Sequence, residues 1–346
     1  MKTDAPSLTI AIPTYNRAAK LQAQLERLLP QLRSEVRCCA YDNASPDGTR
    51  EVAERYRDRG IAYVRSEYNC GAARNFFRCF EDCRTEWLWI LGDDDPISDH
   101  AVADLLVLLH KQTCDFVHTS TPLCRYASDV VLKDIPSLFQ HTNFGALLWI
   151  SAGIYRTASF RPLFRLFNES ISTWGPQLIV VLSLLESQGG KVMLSSGELI
   201  SEPPTGAAWS TLDFIIRISQ APEYLVDPAH QRLLAERILL EWFDVAFLVG
   251  LREANQTVQI QKWHRIHKVV NRNLKAYHAR RSWNHVLASW FRAGHRSQSL
   301  SMVLNALVVY VLSWCPAPIF RPVAKVLTWP KWVRKDYDKP IEFVSP

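Results

Sequence analysis

The sequence predicts an α/β fold, with a mostly parallel sheet and covering helices over residues 1–210 and a helical, basic region over 211–346. Three features lead there. Short apolar runs alternate five times with helical periodicity in the first 120 residues. Polar clusters close four of those runs, where open α/β sheets bind their ligands. The charges also segregate: residues 254–335 hold fourteen Lys or Arg and no Asp or Glu, which leaves 26 basic against 34 acidic residues elsewhere.

Leu8 to Ile12 reads as a strand closed by Pro13, and Leu21, Leu25, Leu28 and Leu29 line one face of a helix starting at Arg17. Val36 to Tyr41 is a second strand; Asp42-Asn43-Ala44-Ser45-Pro46-Asp47-Gly48 is turn chemistry before a helix from Thr49. Ile61 to Val64 is a third strand, followed by Asn69-Cys70-Gly71 and a helix over 72–83. Trp87 to Leu91 is a fourth, ending in Gly92-Asp93-Asp94-Asp95-Pro96; a helix over 101–110 and a strand over 115–119 follow. Residues 120–210 are less regular, with a strand over 151–155, a helix over 176–186, and one or two strands over 192–200 broken at Ser195-Ser196-Gly197. From Thr211 the pattern is helical.

With 48% apolar and 21% charged residues, the chain can bury a core, which excludes disorder as its main state. No stretch of eighteen uninterrupted apolar residues is present, so an ordinary spanning helix is not expected. The N-terminal residues lack the apolar run of a secretion signal, which implies the cytosolic side. The eight cysteines include no C-x-x-C pair and read as small core residues; a zinc site on Cys79, Cys83 and a histidine is disfavoured for the same reason.

Asp93, Asp94 and Asp95 crowd like charges at a strand end, which is costly unless a cation arrives. Carboxylates suit hard ions such as Mg2+ or Mn2+, which complete their shells with water and phosphate oxygens. An acidic helix start or a simple turn would account for the aspartates without a metal.

Four ordered motifs narrow the choice. Pro13-Thr14-Tyr15-Asn16-Arg17, Asp42 to Thr49, Asn69 to Asn75 and Gly92 to Asp95 follow strands one to four. In these the chain resembles glycosyltransferase family two, the inverting nucleotide-sugar transferases of GT-A, Rossmann-like fold, closely over 7–120 and loosely over 140–210. The resemblance implies a nucleotide-sugar site of Pro13, Thr14, Tyr15, Asn16, Arg17, Asp42, Asn69, Gly71, Arg74 and Asp93. Asp42 would accept from the base, as from the imide N–H of uracil, and Arg74 would approach the base or the phosphates. Asp94 would bind the metal, with Asp95 beside it, although the first aspartate of the family's D-x-D pattern falls on Gly92 here. A general base is expected as an acidic pair at a helix start, where this chain reads Glu169 to Gln177 without such a pair. Glu169 is the nearest carboxylate; Trp174 and Gly153 are the expected acceptor-binding residues.

In the basic segment, six tryptophans are interleaved with the cations, a composition suited to an anionic membrane surface. Leu300 to Ser313 is apolar but short, and reads as interfacial or core-packed. Basic patches with aromatics also bind nucleic acid, but no nucleic-acid module is recognisable, so no such partner is expected. A basic bundle packed on the acidic half is the remaining alternative. The expectation is a metal-dependent inverting hexosyltransferase. It would take a UDP-, GDP- or dTDP-sugar donor and a lipid-linked saccharide acceptor, and work peripherally on the inner face of the cell membrane in surface polysaccharide synthesis. The alternatives are a non-catalytic sugar-nucleotide-binding or scaffold protein, and a nucleotidyltransferase. The latter lacks its glycine-rich phosphate loop after strand one.

Overall fold

The computed structural model describes residues 7–110, 113–122, 124–201 and 217–242. The chain divides into two compact units, Met1–Gly206 and Ala207–Pro346. In the first, strands β1 (Leu8–Thr14), β2 (Val36–Asp42), β3 (Ile61–Arg65), β4 (Trp87–Ile90), β5 (Phe116–Ser120), β6 (Val130–Leu132), β7 (Gly153–Arg156) and β8 (Val192–Glu198) form one sheet. Its order is β3-β2-β1-β4-β7-β5-β8-β6. β1 pairs in parallel with β2 and β4, β2 with β3, and β5 with β8. Only β7 and β6 run against their neighbours.

All seven residues of β1 are buried, as expected for a central strand covered on both faces. β1 runs through Pro13, which was expected to close it; Pro13 stays in register with Tyr41. Ala11 turns its carbonyl toward β4, accepting from Leu91 N at 2.9 Å. Pro13, two residues on, faces its donorless nitrogen to that same side, beyond the last β1–β4 pair.

Helix α1 (Ala18–Leu28) buries Leu21, Leu25 and Leu28 in a cluster with Ile10, Ile12, Trp87, Trp89 and Leu91. Alternation along β4 sends Leu88, opposite Tyr155 in register, to the other face. There α3 (Ala72–Asp82) and α8 (Phe164–Ser170) meet the sheet through aromatic rings. Phe80 lies 4.8 Å from Tyr155, edge-on, and 5.2 Å from Phe167.

The strand expected at 151–155 inserts as antiparallel β7 between β4 and β5, with Ile154 paired to both Trp89 and Val117. The segment read as one or two strands over 192–200 is one strand, and its irregularity falls at the expected place: Thr119 pairs with Ser195 but Ser120 with Glu198, so Ser196 and Gly197 are skipped. The chain then returns to the loop after β4: Ser98 N donates to Leu199 O at 2.9 Å and Ser201 N to Pro96 O at 2.8 Å. The irregular stretch also holds helices with plain N-caps. Asp134 accepts from Ser137 N, and Asn143 from Ala146 N. Helix α9 (Pro176–Ser187) starts with Pro at its first turn and is buried on nearly every side.

In the second unit, a helix over Pro228–Trp242 follows Asp227, whose Oδ1 accepts from Ala229 N at 2.7 Å. No helix among the described residues is long and apolar enough to cross a membrane. The basic segment 254–335, Leu300 to Ser313 within it, and Cys315 lie outside the described residues.

Phe80 is the meeting point of Tyr155, Phe160, Phe164 and Phe167. Phe80→Ala is expected to cost about 3–5 kcal/mol, read as a lower urea midpoint; an unshifted midpoint would contradict the packing described.

Candidate active site at the carboxyl edge of the sheet

Because β3, β2, β1 and β4 are neighbours and parallel, their C-terminal ends lie on one edge, and the four polar loops emerge side by side. The closest ties join β1 to β4. Thr14 Oγ1 donates to Asp93 Oδ2 at 2.6 Å. Arg17 Nη1 lies 2.9 Å from Asp93 Oδ1 and 2.9 Å from Asp94 Oδ2. Lys20 Nζ reaches the same Asp94 oxygen at 2.8 Å. Burial raises the pKa of Asp93 above the ordinary aspartate value, although Arg17 and Thr14 pull the other way. Burial also disfavours the charge on Arg17, yet Asp93 and Asp94 outweigh it and hold the guanidinium above its usual pKa. Asp94 is the partly open member of the run, with its side chain 25% exposed.

Asp95, expected beside the metal, points elsewhere. Its Oδ2 accepts from Trp149 Nε1 at 2.9 Å and from Ser151 Oγ. Ser151 Oγ in turn accepts from Gly92 N at 2.8 Å. Asp95 is thus tied into the wall before β7, and its burial raises its pKa. The same geometry explains the glycine where the D-x-D pattern has its first aspartate: a Cβ on Gly92 would lie 2.5 Å from Asp95 Oδ2.

Asp42 is fully buried and its carboxylate is filled by the chain itself. Ser45 donates to Oδ1 from both N (2.8 Å) and Oγ (2.5 Å); Tyr63 OH (2.7 Å) and Arg65 Nη1 (2.5 Å) donate to Oδ2. Four bonds use the acceptor sites of a carboxylate. A base N–H could therefore reach Asp42 only by displacing one of them. Burial raises the Asp42 pKa, but these hydrogen bonds outweigh it and hold the carboxyl below the ordinary value.

The flanking loops are cross-braced. Asn16, in the left-handed region at φ 55°, places its N–H on Ser45 Oγ at 2.8 Å. Asp47 Oδ2 accepts from Ala18 N, at the start of α1. Asn43 Nδ2 donates to Asn69 Oδ1 at 2.7 Å, and that oxygen also accepts from Gly71 N at 2.9 Å. Gly71 sits at φ 85°, which a side chain would strain. Tyr15 is exposed beside this edge. Arg74 is drawn along α3 instead, with Nη1 2.8 Å from Glu81 Oε2 and its guanidinium over the Phe77 ring. Lys20, Tyr63, Arg65, Trp149 and Ser151 were not anticipated, and Ser45 only as part of its turn; each acts through a pair that the fold makes.

Among the residues expected to bind the acceptor, Gly153 is tightly packed: a Cβ there would lie 2.9 Å from both Phe116 and Tyr155. Trp174 is half-buried in the left-handed region at φ 61°, just before α9. Gln177, in the first turn of α9, donates to Leu148 O at 3.1 Å, near Trp149 and Ser151 in sequence. Glu169, read as a loop acid, lies on α8, where its Oε1 accepts from Arg165 Nε at 2.8 Å. The two form an exposed i,i+4 pair on that helix.

Among the described residues no group of three or more His, Cys, Asp or Glu side chains is placed to hold a metal, Cys79 and Cys83 included. Mg2+ does not need such a cage; it commonly binds one or two carboxylates and takes its other oxygens from water and phosphates. Asp94 fits that requirement as a single, accessible carboxylate.

Two outcomes follow. Asp42→Asn is expected to destabilise the protein by about 1–3 kcal/mol at pH 7, because buried donors lose their anion. Since the folded-state pKa is depressed, this contribution is present above the unfolded aspartate pKa and disappears as pH falls through the folded value. Denaturant titrations from pH 7 downward should show the gap between variant and wild type closing, and a pH-independent gap would contradict it. Gly92→Ala is expected to cost about 1–3 kcal/mol by forcing Asp95 and Ser151 apart; an unchanged denaturation midpoint would count against that close contact.

Residues 9–164 match the family model described as glycosyl transferase family 2. The chain is 32% identical over 125 residues to the abequosyltransferase RfbV of Salmonella typhimurium, covering 34% of this chain and 38% of that protein. It is 25% identical over 120 residues to the teichuronic acid biosynthesis glycosyltransferase TuaG of Bacillus subtilis, covering 34% and 48%. The chain therefore spans less than half the length of these curated relatives. The structure of S. aureus TarS 1–349 in complex with UDP-GlcNAc superposes with a TM-score of 0.59 at 16% identity, over 78% of this chain and 81% of that one. That likeness concerns the fold, a large central sheet with covering helices. Residues 9–164, which carry the parallel strands and the rim motifs, thus resemble glycosyltransferase family 2, and the fold is that of GT-A neighbours.

Proposed function

We propose that the chain transfers a hexose, with inversion, from a nucleoside diphosphate sugar to a saccharide acceptor. The observation that carries this reading is the meeting of Thr14, Arg17, Lys20, Asp93 and Asp94 at one sheet edge. Such an edge offers cations for a diphosphate and one accessible carboxylate for a divalent ion. RfbV and TuaG are named for glycosyl transfer and for polysaccharide building, so a surface polysaccharide is the proposed product. A lipid-linked acceptor and docking on an anionic membrane face rest on the cation- and tryptophan-rich segment 254–335.

In this reading the nucleoside lies over the β1 and β2 loops, near Tyr15 and Asn69. Asp42 acts by holding Ser45, Tyr63 and Arg65 in place, and the partly exposed Arg65 is a donor available to a base carbonyl. Asp94 would hold Mg2+ or Mn2+, which supplies neutralisation of the charge building on the diphosphate leaving group. Arg17 orients Asp93 and Asp94 and adds positive charge beside the phosphates. Trp149, Ser151, Trp174 and Gln177 wall the acceptor side.

A second reading, a sugar-nucleotide-binding protein without turnover, is favoured by one feature: the first turn of α9 carries no acidic side chain. One assay separates the two. Incubating a panel of UDP-, GDP- and dTDP-sugars with Mn2+ should release nucleoside diphosphate, and Asp94→Asn should cut that release about 100-fold or more. Binding of a donor without release in the presence of an acceptor glycolipid would favour the second reading; unaltered release by Asp94→Asn would remove Asp94 from the metal site.

A further inference from the structure

The accessible Asp94 carboxylate is already engaged on one of its oxygens. Asp94 Oδ2 is contacted by two cations, Arg17 Nη1 at 2.9 Å and Lys20 Nζ at 2.8 Å. Both come from the start of α1, Arg17 at its N-cap and Lys20 in its first turn, and Asp93 completes the set through Arg17. Two aspartates and two cations make a neutral group. Arg17 is fixed in it by Asp93, with its side chain 28% exposed, whereas Lys20 is 44% exposed and bonded through Asp94 alone.

We propose that Lys20 is a built-in place-holder for the divalent ion: it occupies the Asp94 carboxylate until metal and diphosphate arrive together, then moves onto the phosphate oxygens. The proposal rests on the donor-site reading above and adds a residue to it. Its physical basis is charge balance. A divalent ion alone would have to displace or crowd Lys20 and would leave the group at about +2, which disfavours it at short range. The diphosphate of a sugar donor brings about two negative charges, and these restore neutrality and give the released ammonium new acceptors. Metal and diphosphate are then coupled: each improves the binding of the other by the same factor. Lys20 is suited to the exchange because its ammonium is a mobile point charge on a flexible stem, while the forked Arg17 guanidinium stays on Asp93.

The test is calorimetry on the full chain with Mn2+ alone, inorganic pyrophosphate alone, and the two together, so that no base or sugar need be known. For Lys20→Met, Mn2+ alone should bind about two- to fivefold more tightly than to wild type, the range expected for removing one exposed competing cation. Pyrophosphate with Mn2+ present should bind more weakly, so the coupling factor should shrink. Unchanged or weaker Mn2+ binding by Lys20→Met, with Asp94→Asn still abolishing Mn2+ uptake, would overturn the place-holder while leaving the metal site standing. If Asp94→Asn leaves Mn2+ uptake intact, the ion does not sit there and the donor-site reading fails with the inference. Matching circular dichroism spectra and melting points for the variants establish that either result is read on folded protein.

Discussion

One buried carboxylate organises this edge of the sheet. Asp93 follows β4, yet it is held by Thr14 at the end of β1 and by Arg17 just beyond it. The backbone ladder between β1 and β4 has already stopped at Ala11 and Ile90. Beyond that point the two strand ends are tied by side chains, and the buried charge of Asp93 is tolerable only because a cation and a hydroxyl meet it. Loss of either partner would loosen the loop that carries Asp94.

A second carboxylate does the same for the neighbouring loop. Asp42 gathers Ser45 from its own turn and Tyr63 and Arg65 from β3, so the β2 loop is shaped from within. Asn16 then ties the β1 loop to Ser45. The rim is therefore braced at Asp42 and Asp93, while the charges of Asp94 and Lys20 reach solvent. A braced scaffold with a few solvent-facing charges suits the diphosphate donor proposed above.

Much of this was legible in the sequence. The apolar runs at 8–12, 36–41, 61–64 and 87–91 have the length and composition of buried strands, and turn residues punctuate them, so β1 to β4 and their shared edge emerge from periodicity. What escaped was set by long-range pairing. Nothing local announces that β7 slips between β4 and β5, because a four-residue apolar strand carries no label for its neighbours. The roles within the aspartate run escaped for the same reason: Asp93, Asp94 and Asp95 are chemically identical, and only Arg17, Lys20, Ser151 and Trp149 tell them apart. A loop was expected at Glu169 where Phe164 to Ser170 forms a helix, because that short segment lacks a cap or a clear apolar period.

The central claim is that the edge formed by β1 and β4 receives a divalent ion on Asp94 and a diphosphate beside it. A crystal structure of the protein soaked with Mn2+ and UDP tests this most directly. The expected result is anomalous density for Mn2+ within about 2.0–2.3 Å of an Asp94 oxygen, with the diphosphate bridging it toward Arg17 and Lys20. Mn2+ and nucleotide bound away from Thr14, Asp93 and Asp94, or density for neither at saturating concentration, would contradict it.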